Sequence, residues 1–238
     1  MKLLLGFGRV FIASIFTIVV AVIAILSLLV DLRRGRAYHN VGRFWASSVL
    51  LLCGLRLTVR GKEYLDPDSN YVYVCNHASL FDIPVVMAGI PDQIRLVYKK
   101  ELEKIPIFGW CLKWGPYIGI DRSNRIEAKR SVEEAARKIH NGASVLLYAE
   151  GTRSADGKLQ PFKRGAFNLA VQSGVPVVPL TINGTFRILP KHSMSVRPGT
   201  VEMIFGLPIP VKTTGGKGEE LRVMDQVHDA ISRTYKNQ

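Results

Sequence analysis

Two short stretches of this 238-residue sequence hold residue types that do chemistry when brought together. The first is Asn76-His77-Ala78-Ser79-Leu80-Phe81-Asp82. Histidine gains and loses a proton near neutral pH, so it can serve as a general base. A carboxylate accepting from one ring nitrogen would fix the tautomer and leave the other nitrogen free to take a proton. On a continuous helix, residues five apart point about 140° away from each other. His77 and Asp82 therefore meet only if His77 lies in a turn and Asp82 in the first turn of a following helix, which Ser79 would cap. Alone, the pair is a weak signal. With five histidines in the chain and aspartate at about 6% of residues, chance gives a His-x4-Asp roughly once in four such sequences. A core histidine beside a helix-capping aspartate accounts for it as well.

The second stretch is Glu150-Gly151-Thr152-Arg153-Ser154. Glycine lets a ligand approach the backbone closely, and arginine offers a planar fork that holds a phosphate through two hydrogen bonds. By itself it reads as a polar loop with a solvated arginine.

Both stretches follow apolar runs that read as buried strands, residues 71–75 and 144–149; residues 175–182 and 201–205 read likewise. Between them, residues 124–140 form a helix with Glu and Lys/Arg pairs on its surface and Gly142 as its stop. Residues 162–172, ended by Gly174, and residues 219–235 form two more, and residues 213–218 are a flexible loop. Strands alternating with helices imply an α/β domain with a largely parallel sheet flanked by helices. Ligands of such sheets gather at the C-terminal ends of the strands, where both stretches fall.

The first 62 residues have a different texture. Residues 10–30 contain no charged residue, and about 20 apolar residues suffice for a helix to cross a bilayer core. A cleaved signal would have an apolar region of about 7–15 residues ending at small residues; this one ends at Asp31-Leu32-Arg33-Arg34 and is expected to stay as an anchor. A second apolar run, residues 44–57, is broken by Gly54 and Arg56 and is short for a span. Residues 1–62 thus read as a two-helix membrane anchor and residues 63–238 as the catalytic domain. Lys2 and Arg9 flank the first run on one side, and Arg33, Arg34 and Arg36 on the other. That near balance leaves two topologies open, a single span or a hairpin in one leaflet, and the hairpin is favoured.

The net charge of +13 calls for an anionic partner, and with an apolar anchor present, lipid headgroups and phosphates account for it. No basic run is interleaved with aromatics as in single-strand binders, so nucleic acid is not an expected partner. Cys53, Cys75 and Cys111 lie far apart with no CxxC pair, which argues against a disulfide framework or a zinc site and for a reducing compartment. The histidines are dispersed, and neither a metal nor another cofactor is expected.

Taken together, the two stretches resemble signature motifs of the glycerolipid acyltransferases, and within them the 1-acyl-sn-glycerol-3-phosphate acyltransferases. Two further blocks agree in order and spacing. Gly115-Pro116-Tyr117-Ile118-Gly119-Ile120-Asp121-Arg122 resembles the family's glycine…Ile-Asp-Arg block, and Val175-Pro176-Val177-Val178-Pro179 its Val-Pro-Val-x-Pro block. The stretches Tyr98-Lys99-Lys100-Glu101-Leu102 and Ile105-Pro106-Ile107-Phe108-Gly109-Trp110 are similar to the family's sequence between the first two motifs. Pro116 stands where the family usually has glycine, so only Asp121 and Arg122 carry over from that block.

The resemblance implies a membrane-bound enzyme of glycerolipid-acyltransferase fold that passes an acyl group from a thioester, acyl-CoA or acyl carrier protein, to the sn-2 hydroxyl of lysophosphatidic acid. It implies His77 as the base and Asp82 as its partner. Lys99, Arg153 and, more weakly, Arg122 would meet the acceptor phosphate, while Glu150, Gly151 and Thr152 shape the acceptor pocket. Lys158, Lys163 and Arg164 are candidates for the carrier's phosphates or for a solvated basic rim. The catalytic domain would face the cytosol at the cell membrane, where the donor is soluble. Two alternatives stay open on the residues: an acyltransferase for another lysolipid or a lyso-amino-lipid, which would not need Lys99 and Arg153, and a non-enzymatic membrane-binding protein, which would need neither motif.

Overall fold

Alternation along the strands sends side chains to two different cores, and the fold follows from covering both. In the second strand, β2 (Val72–Cys75), Val72 and Val74 pack on one face while Tyr73 and Cys75 pack on the other. A sheet apolar on both faces must be sandwiched, and parallel strands need crossover helices to do so. The computed structural model describes residues 2–29, 35–121 and 125–237. The strands are β1 (Leu55–Arg60), β2, β3 (Ile94–Lys99), β4 (Ile118–Ile120), β5 (Ser144–Tyr148), β6 (Val177–Asn183) and β7 (Gly199–Phe205). They form one sheet in the order β1-β7-β6-β2-β5-β3-β4. Every pairing is parallel except β6 with β7. Five strands, β2 to β6, therefore run together, and their C-terminal ends share one edge.

The helices are α1 (Lys2–Ser27), α2 (Arg36–Leu52), α3 (Asp82–Gly89), α4 (Phe108–Trp114), α5 (Arg125–His140), α6 (Gly165–Ser173), α7 (Thr185–Ile188) and α8 (Gly216–Thr234). One face of the sheet is covered by α5, α6 and α8 through Ala135, Ile139, Phe167, Val223, Val227 and Ile231. The other is covered by α3 and α2, with α1 outside α2. Helix α1 is apolar and long enough to cross a membrane by length and composition. Its outward side is bare along its length, with Phe11 67% exposed and Ile15, Val19 and Leu26 also exposed.

Three strands escape the sequence reading. The most consequential is β1, which lies within residues 1–62, the stretch read as anchor. It pairs in parallel with β7 from Leu55 to Arg60, so the sheet begins at residue 55, inside that stretch. The apolar run breaks at Gly54, whose φ of +72 turns the chain out of α2. Leu57 belongs to the strand. Helix α2 is built into the fold: Tyr38, Ala46, Val49 and Leu50 are buried, and it packs on α3 and β1. The other unexpected strands are β3, which carries a buried Arg95, and β4, only three residues long. The expected pairing along the 124–140 helix is present in Glu134–Lys138, 2.7 Å apart.

Candidate active site

The chain leaves β2 at Cys75 and enters α3 at Asp82, so His77 sits in the turn and Asp82 in the first helical turn. His77 Nδ1 stands 2.8 Å from Asp82 Oδ2. That same oxygen accepts the backbone N–H groups of Ala78 at 2.7 Å and Ser79 at 2.9 Å. The carboxylate is fully buried while the His77 side chain keeps 15% of its surface. A buried carboxylate gathering N–H donors takes the Nδ1–H tautomer, which leaves the Nε2 lone pair open. Nε2 makes no hydrogen bond among the described residues. The negative charge also sits at the N-terminal end of α3, the favourable end of a helix.

The sequence assigns Ser79 to capping, and the structure gives its hydroxyl other work. Ser79 Oγ donates to the carbonyl of Leu189 at 2.9 Å and accepts from Phe81 N at 3.2 Å, while Phe81 is the residue that precedes α3. Asn76 holds the turn to the neighbouring strand: its side chain donates to the Ile182 carbonyl at 3.0 Å and accepts from Ile182 N at 2.8 Å.

The second motif follows β5, next to β2 in the sheet. Glu150 is buried, and its carboxylate turns into the protein rather than toward open space. One oxygen accepts from His77 N at 2.5 Å and the other from Gln160 N at 2.9 Å. Burial raises this carboxyl to about 7, against the pull of the two backbone amides. Ser154 N donates to the His77 carbonyl at 2.8 Å, so the two motifs are tied together twice. Gly151 has φ +71, a backbone conformation that favours glycine, while a Cβ there would meet only the flexible end of Lys163, whose Cδ lies 2.9 Å away. Thr152 is exposed and Arg153 half-buried. Among the described residues nothing pairs with the Arg153 guanidinium; its carbonyl accepts from Lys191 Nζ at 3.4 Å.

Lys99 ends β3, on the same edge. With neighbouring strands about 4.8 Å apart, it stands roughly 10 Å across the sheet from the end of β2. Its ammonium is 3.1 Å from Glu101 and is largely exposed. Asp121 follows β4 at that edge, and Arg122 lies outside the described residues. The structure thus joins His77, Asp82 and the Glu150–Arg153 loop directly and sets Lys99 to one side.

Two contributors were not singled out from the sequence. Tyr148, the last residue of β5, stacks on His77 with ring centroids 3.9 Å apart and 18° between planes. Lys191 comes from the loop after α7 and brings a second cation to the Arg153 backbone. Tyr148 had a signal available, since an aromatic two places before Glu150 must share the strand end with Cys75, its register partner. Nothing local marks Lys191.

This arrangement can accept a proton at a held imidazole and receive an anion beside it. The acyltransferase family model matches residues 56–183, more than half of the chain. The chain belongs to this acyltransferase family. A 1-acyl-sn-glycerol-3-phosphate acyltransferase of Cocos nucifera is 34% identical over 200 residues, covering 83% of this chain and 62% of that one. One of the same name from Limnanthes alba is 34% identical over 211 residues, covering 87% and 74%. The chain therefore spans about three-fifths of the first relative's length and about three-quarters of the second's. The crystal structure of the 1-acyl-sn-glycerophosphate acyltransferase PlsC from Thermotoga maritima superposes with a TM-score of 0.83 at 28% identity, over 98% of this chain and 94% of that one. Acyltransferase motifs and sheet edge coincide here: the matched region begins in β1 and ends with β6.

Proposed function

We propose that this chain transfers a fatty acyl group from an acyl thioester to the sn-2 hydroxyl of lysophosphatidic acid, making phosphatidic acid for phospholipid synthesis. The observation that carries this reading is the His77–Asp82 pair, 2.8 Å apart, with the aspartate buried and the second imidazole nitrogen open. The acceptor hydroxyl gives its proton to His77 Nε2 as its oxygen attacks the thioester carbonyl. Asp82 stabilises the imidazolium that forms. When the C–S bond breaks, the imidazolium returns the proton to the departing sulfur, so no acyl-enzyme is required. Arg153, whose guanidinium has no partner among the described residues, receives the acceptor phosphate, with Lys99 and Arg122 as further cations. Glu150, Gly151 and Thr152 shape the acceptor site, Glu150 by holding the His77 turn rather than by touching the anion. The donor is acyl-CoA or acyl carrier protein, both of which present a phosphopantetheine thioester.

Helices α1 and α2 form the membrane anchor, in one leaflet as a hairpin, with the catalytic domain on the cytoplasmic face of the cell membrane. Support comes from the bare apolar side of α1 and its packing along α2. The full chain, purified in detergent and given lysophosphatidate with each donor in turn, tests the reaction. Thioester consumption should require lysophosphatidate and yield phosphatidate. Consumption that is equal without acceptor, or equal with a phosphate-free acceptor, would overturn the assignment.

A further inference from the structure

A pair of tryptophans that neither the catalytic motifs nor the anchor uses stands on the segment joining β3 to β4. Trp110 and Trp114 lie one turn apart on α4, stacked with ring centroids 6.1 Å apart, and are 46% and 55% exposed. Neither indole N–H donates to another described residue, whereas that of Trp45 donates to Thr17 Oγ1 at 2.9 Å. Exposing two large rings to water is unfavourable, and tryptophan with a free N–H is the side chain best suited to the boundary between headgroups and acyl chains. Ile105, also exposed, extends the apolar tip.

The tip is held rigidly. Ile107 has φ +63, an unusual value for a β-branched residue, just before α4 begins. A Cβ on Gly109 would collide with the Glu103 carbonyl oxygen, so the helix presses on the turn before it. The other side of α4 is anchored through Cys111 and Leu112 in the core. Helix α4 packs on α1, and Gly35, at the start of α2, lies against Pro116 just past α4. The tryptophans thus emerge beside the bare apolar helix, close to its junction with α2. Lysines outnumber acids in the same segment: Lys99, Lys100, Lys104 and Lys113 against Glu101 and Glu103 within residues 99–114. Lys104 and Lys113 are exposed.

We propose that residues 100–114 form a second membrane contact, in which Trp110 and Trp114 seat at the headgroup level of an anionic bilayer and Lys104 and Lys113 meet its phosphates. Because this segment follows directly on Lys99 at the end of β3, the contact brings the headgroup layer to the edge of the sheet where the motifs stand. The inference rests on the membrane reading of α1, and not on the acyl-transfer chemistry.

The test uses the full chain carrying Trp45→Phe, so that Trp110 and Trp114 alone report, reconstituted into phosphatidylcholine vesicles with or without phosphatidylglycerol. Flotation confirms attachment, and failure to float would sink the anchor reading and this one together. With attachment in place, tryptophan emission should move to shorter wavelength, and phosphatidylcholine brominated near the top of its acyl chains should quench it. The effect should be larger in the anionic vesicles, and Lys104→Gln with Lys113→Gln should remove that difference. Emission that stays at its water-exposed position, open to iodide and untouched by brominated lipid, overturns the proposal. In a second measurement, Trp110→Ser with Trp114→Ser should lower turnover of long-chain lysophosphatidate in vesicles by about tenfold. Turnover of a short-chain, monomerically dispersed acceptor should stay at the parent rate. Equal losses on both acceptors would assign the tryptophans to folding and contradict a membrane role.

Discussion

At the residue scale, the proposed acceptor cations and the groups that hold His77 make separable predictions. Among the described residues no carboxylate pairs with Arg153, so Arg153→Ala should raise KM for lysophosphatidate by the full worth of a charge-assisted contact, about 1.5–3 kcal/mol or roughly 10- to 150-fold. Lys99 is largely exposed and already paired with Glu101, so Lys99→Ala should act in the same direction and more weakly. Initial rates against a phosphate-free acceptor are the control, which both variants should leave almost unchanged. Tyr148 supports the plane of the imidazole. Its hydroxyl and Asp82 Oδ1 are both buried without a partner, so Tyr148→Phe removes a burden and should leave the rate and melting temperature intact or improved. Tyr148→Leu removes the stack and should lower kcat by about 2- to 10-fold with KM steady, a stack being worth about 0.5–1.5 kcal/mol. Glu150 gives a pH signature. Its carboxyl is raised from 4.5 to about 7 in the fold, so the unfolded chain releases this proton first. Stability from this group is complete below pH 4.5, declines as pH rises to about 7, and is constant above. Glu150→Gln should flatten that decline in thermal melts across the same window, although one of the two amides loses its acceptor. An unchanged slope would show that the group does not titrate there.

At the scale of elements, legibility followed the distance over which each hydrogen bond acts. The His77–Asp82 pair could be read because both groups sit within one strand–turn–helix, and the turn geometry that allows them to meet is local. The buried role of Glu150 could not, since its partner is the backbone of His77, 73 positions away, brought near only by the parallel register of β2 and β5. Strand β5 and the 124–140 helix were legible from apolar content and charge pairing. Strand β1 was not, because Leu55, Leu57 and Val59 continue an apolar helix with only Cys53 and Gly54 between, while Arg56, Thr58 and Arg60 look like a breakdown of that run rather than strand alternation. Strand β4 is too short to show a period, and Arg95 interrupts that of β3. The placement of β1 carries its own prediction. A chain lacking residues 1–62 loses a strand whose full length pairs with β7 and should give no cooperative melt by circular dichroism in detergent. A chain lacking residues 1–29 keeps the whole sheet and should still melt cooperatively. Equal behaviour of the two truncations would contradict β1 as part of the catalytic fold.

At the scale of the whole molecule, the fold sets a bilayer-compatible face and a catalytic edge side by side. Four of the five parallel strands deliver His77, Lys99, Asp121 and Glu150 to one edge, and the covering layer on one face includes the apolar α1. The chain carries 32 basic against 19 acidic residues, so under the proposed membrane attachment vesicle binding should be strongest on anionic lipid and weaken as salt rises. The proposed chemistry turns on the proton transfer at His77. The full chain in lipid vesicles, with lysophosphatidate and a labelled acyl thioester, allows acyl transfer and acceptor binding to be measured on one preparation. His77→Ala should cut the transfer rate by at least about 10²–10⁴ while lysophosphatidate binding holds to within a few-fold, since the imidazole acts on the hydroxyl and not on the phosphate. A variant that keeps more than about a tenth of the parent rate would contradict general-base catalysis by His77.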